Sequence, residues 1–273
     1  MERQDADVQI RHQASLLDQA QDAIIVRSID HRVVYWNRSA ARMYGFSAAE
    51  AMGRSVADLL HEDASAFMDA TNVVLANDEW RGEIQQRCKD GSSIQVEGHW
   101  TLVRDEDGHP QSILSINTDI TQRKAAERRI HTLAFYDLLT GLPNRLMLAD
   151  QLEQALATSA HSGMGGALLF IDLDNFKTLN DTLGHERGDR MLEEVAARLT
   201  AAVRGVDTVA RLGGDEFVVM LEALSEEPAE LVSQARSAGE KLLTALSAPY
   251  RLGNDQVHQG TASIGDGLTS LAV

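Results

Sequence analysis

Residues 210–221 read ARLGGDEFVVML, two glycines and two carboxylates set between apolar runs. Val209 and Ala210 lead in and Phe217, Val218, Val219, Met220 and Leu221 lead out, the pattern of a β-hairpin turning at Gly213, Gly214, Asp215 and Glu216. A solvated turn needs nothing more. A second run, Ala167–Ile171, is short and continuously apolar, as a buried strand is, and ends at once in Asp172, Leu173 and Asp174. Acids directly after an apolar strand sit where a sheet edge opens to solvent, so carboxylate and main-chain oxygens there can hold a cation. Either feature alone is met by an ordinary turn or strand end. Together, Asp172 and Asp215 point to divalent-metal chemistry, because two ions between them can activate an attacking hydroxyl and stabilise a displaced oxygen.

The rest of the chain sets these strands in two regions. With 273 residues the length suits two ordinary domains. Residues 1–12 form a polar tail, and residues 13–118 carry short β-like runs and turn signals. Ala23–Val26 and Val33–Trp36 are expected as strands around a DHR turn, with one of Tyr35 and Trp36 in the core and the other facing out. A helical stretch broken at Gly45 and Gly53 follows, with Ser47 and Glu50 spaced as a capping box, then three strands separated by KDGS and DEDGHP turns. Asp119 can cap a helix over 119–134, in which Ala126, Ile130 and Leu133 form one apolar stripe. That helix is either a connector docked on its own domain or a parallel dimer stalk.

From Phe135 to Val273 helix and strand alternate. Helices are expected in DLLTGLPNRLMLADQLEQALATSA, with Leu146, Ala149, Leu152 and Leu156 on one side, in RGDRMLEEVAARLTAAV, and in EPAELVSQARSAGEKLLTALSAPY, with a last strand in QVHQGTASIG. This order suggests an antiparallel-rich sheet covered by helices, an α+β chain overall.

Composition narrows the partners. Asp plus Glu number 41 against 25 Lys plus Arg, a net charge of −16, which repels nucleic acid and anionic membrane, and no basic patch offsets it. The single cysteine, Cys88, excludes an internal disulfide framework and reads as a passive thiol near a turn. MERQDADVQIRHQ lacks the apolar stretch of a signal peptide, and no run approaches the ~20 residues of a membrane span, so a cytoplasmic location is expected. His61 and His99 are expected at the surface rather than as haem ligands.

The stretches DAIIV, DHRVVYWNRSAARMYGFSAAEAMGRS, KDGSSIQVE and SINTDITQRKAAE resemble a PAS sensor domain with its C-terminal extension. The resemblance implies a PAS-type α/β sandwich that binds a small ligand or pairs with another copy; which ligand it leaves unknown. The cysteine motif of the photoactive flavin type is absent. Resemblance to PAS-linked output domains favours the stalk for the 119–134 helix, and so a homodimer through PAS and linker.

The C-terminal region is similar to the GGDEF domain of diguanylate cyclases. RLGGDEF is complete at Arg211–Phe217, and DLLTGLPNR (Asp137–Arg145), DLDNFKTLNDTLGHERGD (Asp172–Asp189) and TASIG (Thr261–Gly265) match in order and spacing. The resemblance implies a palm-like domain and the joining of two GTP into cyclic di-GMP with release of two pyrophosphates. It implies that Asp172, the carbonyl of Leu173 and Asp215 hold two Mg²⁺ or Mn²⁺ ions, with Glu216 assisting metal or proton handling. Gly213 and Gly214 would let backbone approach the α-phosphate and ribose. Backbone amides around Asn175 and Phe176, with the Lys177 ammonium, would meet the β- and γ-phosphates. Asn180 and Asp189 would read the guanine edge, although both also suit turn and cap roles. Because each domain holds one GTP, two protomers must face each other, and a PAS domain that alters the stalk would set the population of that dimer.

Arg204 stands nine residues before Gly213 and opens RGVD with Asp207, matching the family's RxxD product-inhibition site. After TASIG the family continues through a hairpin, a helix with basic side chains and a last strand, whereas this sequence reads DGLTSLAV and stops at Val273. A C-terminally incomplete domain is therefore expected, short of apolar cover and of cations for the triphosphate. The alternative is an inactive GGDEF module that binds GTP or cyclic di-GMP and signals through a partner. Another palm-type nucleotidyltransferase would have no reason to keep the RxxD offset.

Overall fold

Strong β-formers alternate with polar residues through the first region, and they pair as one antiparallel sheet. The computed structural model describes residues 20–62, 64–252 and 257–267, and the chain divides into two units between Glu127 and Arg128. In the first, β1 (Ala23–Ser28) and β2 (Val33–Trp36) lead into α1 (Arg38–Tyr44), α2 (Ala48–Ala51), α3 (Val56–Leu60) and α4 (Ala64–Asn77), followed by β3 (Glu79–Arg87), β4 (Ser93–Arg104) and β5 (Pro110–Asp119). Every neighbour in the order β2-β1-β5-β4-β3 is antiparallel.

Local chemistry sets the ends of these elements. Asn37 caps α1 by accepting from the Ala40 N–H at 2.8 Å, and Gly45, at φ +78°, ends it. Ser47 and Glu50 form the expected capping box on α2. Val96, Trp100 and Leu102 of β4 point to one face and pack with Tyr44, Phe67 and Val74; burying a side chain like Phe67 contributes about 1.5–3 kcal/mol. Strand alternation buries Trp36 and leaves Tyr35 half-exposed. Cys88 is buried, with its S–H 3.3 Å from the Met43 carbonyl. The expectation for His61 is overturned: it is 6% exposed, tilted against Phe67 at 4.8 Å between ring centres, because α3 ends facing the core. His99 is partly exposed and faces Glu79.

Helix α5 (Thr121–Phe135) begins where Asp119 accepts from the Thr121 N–H at 2.8 Å. None of its residues is buried, and Ile130 and Leu133 are exposed. No helix among the described residues is long and apolar enough to cross a membrane.

The second unit continues with α6 (Arg145–Ser162), β6 (Gly165–Leu173), α7 (Phe176–Leu183), α8 (His185–Ala202), β7 (Thr208–Gly213), β8 (Glu216–Leu224), α9 (Pro228–Leu246), β9 (Tyr250–Arg251), β10 (Val257–His258) and β11 (Ala262–Gly267). Its antiparallel sheet runs β11-β6-β8-β7. Strand β8 is buried on both faces: Phe217, Val219 and Leu221 join the core made with α8 and α9, while Val218 and Met220 meet Leu148 and Ala155 of α6.

One expectation needs correction here. On α6 the buried positions are Leu148 and Ala155, whereas Leu146 and Leu156 are exposed; the stripe that meets Val218 and Met220 is rotated from the one expected. The stretch between β6 and RGD forms helix α7, which breaks from α8 at Gly184, with φ +86°. The tail at 1–12 and the last six residues of DGLTSLAV lie outside the described residues.

Candidate functional site

The β7–β8 turn is tighter than its sequence suggests. Gly213 pairs with Glu216, leaving Gly214 and Asp215 as a two-residue turn, and the register shifts at Leu212. Gly213 and Gly214 have φ of +143° and +56°, and a Cβ added at either would meet nothing within 4 Å. Backbone conformation therefore demands glycine here, and the space in front of the turn is open.

Arg211 holds this turn in place. Its side chain is buried; Nε and Nη2 donate to the Gly214 carbonyl at 3.1 and 2.7 Å, and Nη1 donates to Asp137 Oδ1 at 2.9 Å. Asp137 also accepts from the Thr140 N–H and hydroxyl at 2.9 and 2.7 Å. These bonds outweigh its partial burial and hold its carboxyl below the ordinary range. The DLLTG segment is thus a brace for the signature turn. Sequence reasoning assigned no role to Arg211 or Asp137, although both lie within its motifs.

Asp172 stands at the tip of β6, across from Glu216 on β8 and from Ser263 on β11. Its carboxyl is pushed above the ordinary range by desolvation and by the charges of Asp215, Glu216 and Asp174. Asp172 and Glu216 are cross-strand partners and the charges of Asp215 and Asp174 reach Asp172, so four carboxylates lie near one end of the sheet without their oxygens coming within 4.8 Å of one another as a group, and their repulsion is the kind a divalent cation relieves. Asp174 is already used: it accepts from the Thr261 and Ser263 hydroxyls, each at 2.7 Å, which hold its carboxyl down. The TASIG segment so anchors the loop after β6 and leaves Asp172, Asp215 and Glu216 facing the open space. Leu173 has a buried side chain, with its backbone in the ladder opposite Ala262.

Among the described residues, the side chains whose ligand atoms come within 4.8 Å of one another are Asp105, Asp107 and His109, in the β4–β5 turn of the first unit. They lie outside the expected metal site. Asp105 is there occupied as a turn acceptor from the Asp107 and His109 N–H groups, at 3.0 and 2.8 Å.

The segment after β6 forms the neighbouring wall. Asn175 lies in the left-handed region at φ +60° and gives no side-chain cap, so the first amides of α7 are not satisfied by a cap. Phe176 is buried as an anchor, and Lys177 is exposed. Asn180 Oδ1 is buried without a hydrogen-bond partner, and a Cβ at Gly188 would lie 1.9 Å from it. Glycine at 188 thus leaves room for the Asn180 amide, and Asp189 follows directly, exposed on α8. A buried acceptor without a partner is uncommon in a folded protein.

Arg204 and Asp207 belong to a different place. Arg204 Nε and Nη2 donate to Asp207 at 3.0 and 2.7 Å, and Nη2 also donates to the Glu222 carbonyl at 2.7 Å. Asp207 is held low by these bonds despite its burial. Glu222 is near the far end of β8 from the turn, roughly 20 Å away by strand rise. The pair lines a cleft of about 850 Å³ whose other wall includes Gln234, Ser237 and Lys241 of α9.

The family model of the diguanylate cyclase GGDEF domain matches residues 134–270, and that of the PAS fold matches residues 11–120. The bifunctional diguanylate cyclase/cyclic di-GMP phosphodiesterase MucR of Pseudomonas aeruginosa is 47% identical over 148 residues, 54% of this chain and 21% of that protein. The probable diguanylate cyclase DgcE of Escherichia coli K12 is 30% identical over 253 residues, 91% of this chain and 22% of that protein. A crystal structure of a sensory box/GGDEF family protein from Caulobacter crescentus CB15 is 40% identical, covering 49% of this chain and 83% of that one, with a TM-score of 0.45. This chain spans about a fifth of the length of these two curated relatives. With its signature built into the braced turn and the family model spanning half of its length, the chain belongs to the GGDEF diguanylate cyclase family, its GGDEF domain preceded by a PAS fold.

Proposed function

We propose that this protein is a sensor-regulated diguanylate cyclase that condenses two GTP into cyclic di-GMP and two pyrophosphates in the cytoplasm. The observation that carries the reading is that Asp172, Asp215 and Glu216 lie near one another beside an open, glycine-lined turn. An all-oxygen donor set suits Mg²⁺ or Mn²⁺, and Asp172, the Leu173 carbonyl and Asp215 would hold two such ions. Bound there, the cations supply activation of the attacking 3′-hydroxyl and neutralisation of charge on the α-phosphate.

The chain's own groups do the remaining work. Gly213 and Gly214 admit the α-phosphate and ribose to the backbone, and Glu216, opposite Asp172, assists metal or proton handling. The amides at Asn175 and Phe176, with Lys177, receive the β- and γ-phosphates. Asn180 Oδ1, unpartnered in the fold, accepts from guanine together with Asp189, and adenine would leave that acceptor unpaired. Each domain holds one GTP, so the working unit is a homodimer formed through the PAS fold and the exposed stripe of α5. Arg204 and Asp207, beside their own cleft, take the product and inhibit.

Incubation of the purified chain with GTP and Mg²⁺, with separation of the nucleotides, tests this. Cyclic di-GMP should form and should fall below detection in Asp215→Ala. GTP binding without turnover in the unsubstituted chain would instead establish the non-catalytic module.

A further inference from the structure

Strand β6 leaves the sheet at Leu173, with only Asp174 and Asn175 before α7 begins at Phe176. Asp174 holds that corner. Its N–H donates to the Thr261 carbonyl at 3.0 Å. Its carboxylate oxygens are divided between two hydroxyls, Oδ2 accepting from Thr261 and Oδ1 from Ser263, each at 2.7 Å. In the β6–β11 ladder Ser263 stands across from Asp172 and Ala262 across from Leu173. The bonds to Asp174 therefore carry the pairing one residue past the last rung of the sheet. A single hydroxyl would leave the carboxylate free to turn about its Cβ–Cγ bond. Two, on separate oxygens and from the same side of one strand, define its plane.

The residue that follows needs such a restraint. Asn175 has φ +60°, in the left-handed region, and gives α7 no side-chain cap. Asparagine visits that region more readily than most residues, but a residue stays there only where its surroundings impose it. On the far side Phe176 is buried in the core with Leu173 and Leu179. The corner is thus fixed by packing at Leu173 and Phe176 and by the two hydroxyls at Asp174. The Phe176 and Lys177 N–H groups, which no cap receives, take their direction from the left-handed turn between these supports.

We propose, resting on the cyclase reading of this site, that Asp174, Thr261 and Ser263 are positioning residues that give it a preference for a nucleoside triphosphate over the monophosphate. None of them touches a phosphate. They fix the turn at Asn175, and the turn aims the amides at the β- and γ-phosphates. Hydrogen bonds weaken steeply when bent, so a loosened corner loses the triphosphate tail. Guanine and the α-phosphate fall to Asn180, Asp189 and the Gly213–Gly214 turn, outside this corner, and their binding survives its loss.

The full chain is titrated calorimetrically in Mg²⁺ with GMP and with 3′-deoxy-GTP, which lacks the attacking hydroxyl and is not turned over. Thr261→Val with Ser263→Ala removes both hydroxyls; both residues are exposed, so Tm should hold. Affinity for 3′-deoxy-GTP should fall about tenfold, the loss of one charge-assisted amide–phosphate bond, while affinity for GMP stays the same. Thr261→Ser with Ser263→Thr keeps both hydroxyls and should bind 3′-deoxy-GTP as the unsubstituted chain does. In turnover, KM for GTP should rise in the hydroxyl-free variant with kcat held, because contacts made equally in ground and transition states act on KM alone. Undiminished triphosphate affinity in that variant, an equal loss for GMP, or the same loss in the Ser/Thr exchange would each overturn the proposal. If the double variant does not fold, Ser263→Ala against Ser263→Thr decides in the same way. Hydroxyl-dependent binding of 3′-deoxy-GTP without cyclic di-GMP formation from GTP would refute the cyclase reading and still support the positioning role. Binding of neither nucleotide by the unsubstituted chain would overturn both.

Discussion

Acidification should loosen the PAS unit from within, through His61. Burial, and then the nearby Arg27 charge, lower this imidazole from 6.5 to about 4. Folded His61 is therefore neutral at pH 5, while the unfolded chain takes up the proton. The unfolded state binds more protons between those two values, so stability is present above pH 6.5 and is lost as pH falls toward 4. The full difference corresponds to about 3 kcal/mol, of which about 2 kcal/mol is lost between pH 7 and pH 5. Urea unfolding followed by tryptophan emission measures this directly, since all three tryptophans report on the PAS unit. His61→Gln removes the titration, so its own loss between pH 7 and pH 5 should be smaller than that of the unsubstituted chain by about 2 kcal/mol. Equal losses in the two chains would show that His61 does not remain neutral in the fold and would refute the reasoning.

Other substitutions test the site and its supports. Gly188→Ala places a methyl 1.9 Å from Asn180 Oδ1; it should weaken GTP binding about tenfold, roughly 1.4 kcal/mol, with little change in Tm, as read by titration with a fluorescent GTP analogue. Arg211→Ala releases the Gly214 carbonyl and Asp137, costing about 2 kcal/mol; hydrogen exchange should rise across residues 211–217, and unchanged protection there would remove the bracing role. Gly82 and Gly98 lie opposite each other, and a Cβ on either would meet the Trp80 ring, at 2.6 and 2.7 Å. Gly98→Ala should therefore cost about 1–3 kcal/mol and shift tryptophan emission.

Features that depend on a few neighbouring residues were legible without coordinates. The hairpin at Gly213–Glu216, the capping box at Ser47 and Glu50, the strand Val33–Trp36 and the placement of Asp172 at a strand tip all follow from spacing and residue type, because turn, cap and pleat are local geometries. The family motifs that carry the candidate site were likewise readable, since motif order survives in a linear chain. Which helical stripe of α6 is buried was not readable: its leucines offer more than one apolar stripe, and only the facing Val218 and Met220 select Leu148 and Ala155. Nor was the break at Gly184, where glycine permits a left-handed turn without requiring it.

By itself the sequence determined the chemistry available at the site: two acid-tipped strands, an open glycine turn and the guanine-reading candidates. Tertiary structure alone decided what supports and surrounds that chemistry. Arg211 meets Asp137 across 74 residues, Asp174 meets Thr261 across 87, and Arg27 meets Thr71 across 44. The burial of His61 and Arg27 belongs to the same class. Such contacts arise from the summed packing of whole elements, which fixes solvent exclusion and long-range register only once the chain has closed on itself.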